Sequence, residues 1–233
     1  MTTETLGSLN IATAVLLAKE VAVKAVLLKI CFMDKKLLLI FAKNPVLSKV
    51  KTRLAASIGD EKALFIYKKL LQKTAETIEG LDLHKSLYYS EYIEEGDVWE
   101  GNVSDKNIQV GNTLGEKMEN AFKRGFSEGF LEIVIIGTDL WDIEMKDINL
   151  AFKALESNAG VIGPATDGGY YLLGLSEWTT EVFENKKWGT SSVLKDTMQS
   201  FKNKKVVKLD YKNDIDNYTD LCSFPKLLKL LDT

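Results

Sequence analysis

Seven short apolar runs, separated by longer stretches in which apolar residues return every three or four positions, leave this chain few folds to choose from. Runs rich in Leu, Ile and Val are strands buried on both faces. Their alternation with amphipathic helices marks βα units around a mainly parallel sheet. The runs are 36–42, 85–90, 107–110, 131–137, 159–163, 170–175 and 205–209. Between them, Asp60 to Gly80 reads as a helix with Leu64, Tyr67, Leu71, Ala75 and Ile78 along one stripe, an acidic first turn and a glycine stop. Thr113 opens a second helix that runs through Phe126, and Ile143 to Ser157 forms a third with Asp142 as its N-cap. Val182 to Phe201 holds a turn and a fourth helix, and Tyr218 to Leu231 a fifth.

With 233 residues, 45% of them hydrophobic, three prolines and no Pro/Gly/Ser linker, the chain reads as a single α/β domain, its central sheet flanked by helices. Thirty Lys and Arg against 33 Asp and Glu leave a net charge of -3, so no global field recruits nucleic acid or an anionic membrane. Cys31 and Cys222 form neither a disulfide framework nor a metal knuckle, which fits a reducing cytoplasm. Residues 11–32 are apolar, but Lys19, Glu20, Lys24 and Lys29 interrupt every run, so the segment does not span a membrane. Residues 1–32 read as a helical extension from an early start, ahead of a domain at 33–233; an amphipathic helix packed on the domain is the rival reading.

Charge is concentrated where the first strand ends. Lys43, Lys49, Lys51 and Arg53 follow it within eleven positions, and Arg53 can fork onto two phosphate oxygens where a lysine offers a point charge. In an open α/β sheet ligands sit outside the carboxyl ends of the strands, so this loop is placed to meet an oligophosphate; a solvated basic loop is the plainer alternative. Neither a GxGxxG fingerprint nor a GxxxxGK[ST] loop is present, so cationic side chains would replace exposed backbone amides.

Carboxylates recur at the same edge. The strand LEIVIIGTD ends in Asp139, placed to hold a divalent cation bridging to a polyphosphate, or else to cap the following turn. Asp214 and Asp216, at i and i+2, project to one side of an extended segment and repel each other unless a cation compensates them; an Asx-type turn capping the last helix competes with that reading. Asp167-Gly168-Gly169-Tyr170 joins two strands either as a plain hairpin or as a glycine turn that lets a ligand approach the backbone. His84 is the only histidine, without a Ser or Cys partner by motif, so no nucleophilic triad is indicated. Trp188-Gly189-Thr190-Ser191 lies where a loop can close over a site.

In order, FAKNPVLSKVKTRL, TLGEKM, IIGTDLWDI, GPATDGGYYLLGL, WGTSSVL and DIDNYTDL resemble the radical-SAM/selenodomain-associated transferase 1 family, glycosyltransferase-like bacterial proteins of the nucleotide-diphospho-sugar transferase superfamily, related to 2-phospho-L-lactate guanylyltransferase. The resemblance covers residues 37 to about 222 and implies the GT-A fold. It implies phosphate contacts from Lys43, Lys49, Lys51, Thr52 and Arg53, with Lys51, Arg53 and Asp139 catalytic. It also implies an acceptor side at Asp167, Gly168, Gly169 and Tyr170, and an Mg²⁺ or Mn²⁺ ion on Asp139, Asp214 and Asp216. Where the family reads P-x-P-G before VKTRL and G-S-D-x-P at the metal aspartate, this chain has Pro45-Val46-Leu47-Ser48 and Gly137-Thr138-Asp139-Leu140-Trp141. The expected function is glycosyl transfer from a nucleotide-sugar to a small acceptor. The alternatives are a guanylyltransferase-like condensation that releases pyrophosphate and a non-catalytic nucleotide-binding protein.

Overall fold

The computed structural model describes residues 35–231; the extension and the domain start at Met33 lie outside the described residues. The strands are β1 (Lys36–Ala42), β2 (His84–Tyr89), β3 (Asp105–Ile108), β4 (Glu132–Ile136), β5 (Gly160–Pro164), β6 (Tyr170–Leu175) and β7 (Val206–Lys208). They form one seven-stranded sheet in the order β3-β2-β1-β4-β6-β5-β7. All seven expected runs are strands, two with the expected bounds and five displaced by a residue or two at their ends.

The sheet is mixed, which corrects the mainly parallel expectation. β1, β2, β3 and β4 pair in parallel, whereas β6 runs antiparallel to both β4 and β5. The cause is local: residues 165–169 are too few for a crossover, so β5 turns directly back as a hairpin. The reversal matters for the site. It brings the amino end of β6, and the hairpin with it, to the edge where β1 and β4 finish.

The α-helices are α1 (Thr52–Ile58), α2 (Asp60–Ile78), α3 (Leu114–Ser127), α4 (Met145–Leu155), α5 (Val193–Ser200), α6 (Tyr218–Cys222) and α7 (Pro225–Leu228). On one sheet face, α2 and α4 bury Tyr67, Leu71, Ile148 and Phe152 against Leu38, Ile40, Val134 and Ile136. On the other, Met118 and Phe122 of α3 pack with Leu37, Leu39, Ile133 and Phe201. A third cluster joins Leu54 of α1, Ile66 and Leu70 of α2, and Ile215, Leu221 and Leu227. The end of the described chain is thereby fastened beside the loop that follows β1.

Two helix starts differ from expectation. Thr52–Ile58, read as loop, is helical because Leu54 is drawn fully into that third cluster. Asp142 is not the cap of α4: Glu144 is, and its N–H donates to Asp147 Oδ2 at 2.9 Å. Thr113 does cap α3, its side chain accepting from the Glu116 N–H at 3.2 Å. His84 lies near the sheet edge with Nε2 2.7 Å from Asp105 Oδ2. Among the described residues no helix is long and apolar enough to cross a membrane.

Candidate active site

A cavity of about 440 Å³ opens at the carboxyl ends of β1 and β4. Ala42 and Lys43 line it from β1, Gly137, Thr138 and Asp139 from β4, Gly169 and Tyr170 from the hairpin, and Asp214 and Asp216 from the segment after β7. That last segment is threaded into place by backbone bonds. Lys212 N–H donates to Pro164 O at 3.1 Å, and Ile215 N–H donates to Asp139 O at 3.0 Å, setting the Asp214–Asp216 stretch beside Asp139.

The centre of the site is an ion cluster. Lys51 takes a left-handed backbone at φ 48°, just before α1, and its side chain is only 4% exposed. Its Nζ lies 2.5 Å from Asp139 Oδ1 and 3.2 Å from Asp216 Oδ1. Both carboxylates keep 47% of their side-chain surface open, so the ammonium is buried behind them while they face the cleft. Arg53 is 77% exposed and reaches Asp216 Oδ2 at 3.8 Å.

Electrostatics follow from this geometry. Enclosure by protein walls pushes the Asp139 carboxyl up, but the charge and hydrogen bond of Lys51, helped by Lys43, hold it below the usual carboxylate range. Burial pulls the Lys51 ammonium down, and Asp139 and then Asp216 outweigh that, leaving it above the ordinary lysine value. Asp214 has no such partner. Burial first, then the charges of Asp139 and Asp167, push it up to about 7, and its Oδ1 is buried without a hydrogen-bond partner.

The four cations of the β1 loop are therefore placed differently from one another. Lys43 lines the cavity, Lys51 is spent on the two carboxylates, Arg53 stands at the side, and Lys49 points away to pair with Glu91 at 3.4 Å. Thr52 is exposed at the start of α1 and does not line the cavity. Asp167, Gly169 and Tyr170 line the cavity, with Gly169 N–H donating to Asp167 Oδ1 at 2.8 Å. Gly168 has another task. At φ +91° a side chain there would meet the Ser191 backbone within 2.4 Å, so this glycine lets the hairpin lie against the 188–192 loop.

Sequence reasoning missed several residues here. Tyr67, read as one apolar position of a helix stripe, accepts from the Lys43 N–H at 2.8 Å and donates to Lys43 O at 3.0 Å, fixing the backbone at the mouth of β1. Buried Asn44 ties the same loop to the end of β2: its Oδ1 accepts from the N–H of Glu91 at 3.0 Å, and its Nδ2 donates to Tyr92 O at 2.9 Å. Gln109 lines the cavity and donates to Ala42 O at 3.2 Å. The only available signal was a polar residue just past an apolar run, which spacing does not separate from an ordinary loop.

Among the described residues no three His, Cys, Asp or Glu side chains form a ready-made metal cage. The donors present nevertheless fit a hard divalent ion. Asp139 and Asp216 already share one cation in Lys51, and Asp214 offers an unpartnered oxygen nearby. Mg²⁺ is commonly held by one or two carboxylates together with substrate phosphates rather than by a complete protein cage.

The fold is shared with solved structures of nucleotide-diphospho-sugar transferases and nucleotidyltransferases. Residues 84–190 match the model of a family described as an uncharacterized protein conserved in bacteria, DUF2064. A provisionally named nucleotide-diphospho-sugar transferase from Desulfovibrio desulfuricans G20 is 26% identical, with a TM-score of 0.74, over 85% of this chain and 98% of that one. A nucleotidyl transferase from Methanothermobacter thermautotrophicus (12%, TM-score 0.57, 84% and 99% covered) shares the fold. So does 4-diphosphocytidyl-2C-methyl-D-erythritol synthase from Anaerococcus prevotii (10%, TM-score 0.56, 84% and 99% covered). No curated protein matches the chain. The family match and the 26% likeness together support the nucleotide-diphospho-sugar transferase superfamily.

Proposed function

We propose that the chain is a metal-dependent transferase that moves a sugar from a nucleotide-diphospho-sugar to a small acceptor, in the manner of the radical-SAM/selenodomain-associated transferase 1 family. The observation that carries this reading is the Asp139–Lys51–Asp216 cluster on the floor of a cleft whose rim holds Lys43. Asp139 and Asp216, with Asp214 beside them, would hold Mg²⁺ or Mn²⁺. A divalent ion there supplies charge stabilisation for the departing nucleoside diphosphate.

The chain's own residues do the rest. Lys43 contacts the diphosphate from the β1 side, and Tyr67 and Asn44 keep its backbone in place. Asp167, Gly169 and Tyr170 border the acceptor side of the cleft. As the acceptor oxygen bonds to the sugar's anomeric carbon, the carbon–oxygen bond to the diphosphate breaks, its electron pair stays on phosphate, and the acceptor proton passes to a cleft carboxylate, for which Asp167 is nearest that wall.

Placement of the cations favours glycosyl over nucleotidyl transfer. A triphosphate carries more charge to be neutralised than a diphosphate, and of the four cations in the β1 loop only Lys43 lines the cavity. Calorimetric titration with UDP-glucose, GDP-mannose, UTP, CTP and GTP, with and without Mn²⁺, tests this. We expect a nucleotide-sugar to bind in a Mn²⁺-dependent manner and more tightly than any triphosphate. Tight triphosphate binding with no nucleotide-sugar binding would turn the assignment to nucleotidyl transfer.

A further inference from the structure

Away from its carboxylates the active-site cavity changes character. Its charged side chains, Lys43, Asp139, Asp167, Asp214 and Asp216, come from the β1 loop, the end of β4, the hairpin and the 214–216 segment. The wall formed by α3 and residues 188–193 adds Leu114, Met118, Trp188, Gly189, Thr190 and Val193, none of them charged. Three apolar side chains of the cavity are incompletely covered. Leu114 is 47% exposed, and Tyr170 and Trp188 are half-buried against the cluster that holds Met118 and Leu173. Their placement is built into the fold. Gly115 lets the indole lie on the start of α3, since a Cβ there would stand 2.4 Å from Trp188 Nε1. The Tyr170 and Trp188 rings meet edge to face, with centroids 6.4 Å apart and planes at 80°, which makes a corner of two aromatic walls. The Tyr170 hydroxyl is shut away from solvent, so this residue offers the cavity its ring and not its oxygen.

Strand order decides which substrate meets this corner. β4 lies between β1 and β6, so Asp139 at its end separates the Lys43 side from the hairpin side. With the diphosphate on Lys43 and the carboxylates, the hairpin side is left to the acceptor. We propose that this acceptor is a neutral alcohol or phenol whose hydroxyl is carried by an apolar, ring-bearing body, seated on Tyr170, Trp188 and Leu114 with the hydroxyl towards Asp167. The assignment deepens the glycosyl-transfer reading and rests on it. The hydroxyl oxygen bonds to the anomeric carbon, the carbon–oxygen bond to the diphosphate breaks with its electron pair on phosphate, and the hydroxyl proton goes to Asp167. An ionised acceptor body would lose its hydration among uncharged side chains with nothing on this wall to offset the cost. A polyhydroxylated body fits poorly for a related reason. Thr190 and the indole N–H are the wall's hydrogen-bonding side-chain groups, too few to pair several hydroxyls.

Titration calorimetry of the full chain with 3-phenylpropan-1-ol, 3-phenylpropionate and methyl α-glucoside, alone and with saturating Mn²⁺ and UDP or GDP, tests the site in the wild type, Trp188→Ala and Leu114→Gln. Leu114 stands outside the core clusters, so its exchange keeps the fold even where loss of the indole loosens the 188–192 loop. Saturable binding of the alcohol is expected, undiminished by the nucleotide and tighter than that of the acid or the glucoside. It weakens about 3- to 10-fold in Trp188→Ala, the worth of one aromatic contact, and about 2- to 3-fold in Leu114→Gln. Displacement of the alcohol by UDP or GDP, with nucleotide binding lost in Trp188→Ala, would give the corner to the nucleobase and overturn the acceptor assignment. Mn²⁺-dependent nucleotide binding with no saturable alcohol binding to the folded wild type would overturn the subsite and leave the transferase reading standing. Alcohol binding without any Mn²⁺-dependent nucleotide binding would instead remove the transferase reading, and with it the role of acceptor, while the apolar site stood.

Discussion

Lys51→Met destabilises the protein by about 2–3 kcal/mol at pH 7. The substitution keeps the length and apolar stem of a side chain that is 4% exposed, so little cavity opens; what disappears is the positive charge shared by Asp139 and Asp216. Removing one partner of a fully buried ion pair costs about 3–5 kcal/mol, and the lower figure here reflects two carboxylates that keep contact with solvent. The pH dependence has a definite sign. Asp139 has its carboxyl held below the usual range in the folded protein, so its contribution is present above the unfolded carboxylate value and is lost as pH falls through the lowered one. The penalty of Lys51→Met is therefore present in full from neutrality down to about pH 4 and shrinks below that. Urea denaturation across that range, repeated with millimolar Mn²⁺, reads both effects. The divalent ion should restore part of the lost stability by taking the place of the ammonium.

Asp214→Asn acts in the opposite direction. The Asp214 carboxyl is pushed up to about 7 by burial, then by Asp139 and Asp167, so the folded protein holds its proton where the unfolded chain has released it. Stability falls as pH rises from about 4 to 7, and above that window the folded state carries the full cost of the charge. Asparagine removes the charge and nearly keeps the shape. We expect the variant to exceed the wild type by about 1–2 kcal/mol at pH 8 without metal, a figure reduced from the full linkage value because Asp214 is not wholly buried. Below pH 4 the two should converge. Denaturation in EDTA at pH 4, 6 and 8 measures the crossover, and Mn²⁺ should abolish the advantage of asparagine by stabilising only the wild type.

These two aspartates and one lysine show how far the sequence could be read. Apolar runs such as Leu37–Ala42 and Glu132–Ile136 are confined to a buried sheet by composition alone, so the strands were legible, and the basic and acidic residues at their ends lie at the edge where the cavity lined by Lys43 and Asp139 opens. What local spacing does not encode is partnership. Lys51 and Asp216 are separated by 165 positions, and only the β7 segment hydrogen-bonded alongside Asp139 brings them together. Read along the chain, Lys51 was one of four cations expected on phosphate, and the resemblance made it catalytic; in three dimensions it is buried against Asp139 and Asp216. Tyr67 was hidden for a similar reason, because a tyrosine in an apolar stripe shows its ring in the sequence and its hydroxyl partner only in the fold. The mixed sheet depended on a short connection that compositional alternation does not weigh.

Direct titration of Mn²⁺ in the presence of a saturating nucleoside diphosphate, comparing the wild type with Asp139→Asn, bears most closely on the central claim that these carboxylates bind a diphosphate through a divalent ion. The amide keeps the shape and can still accept a hydrogen bond from Lys51, so the folded protein survives for the measurement. We predict that Mn²⁺ affinity falls about 100-fold or more, and that the diphosphate loses its metal-dependent binding in parallel, in line with the roughly 3 kcal/mol that one well-placed charged contact supplies. Equal Mn²⁺ affinity in the two proteins would contradict the account.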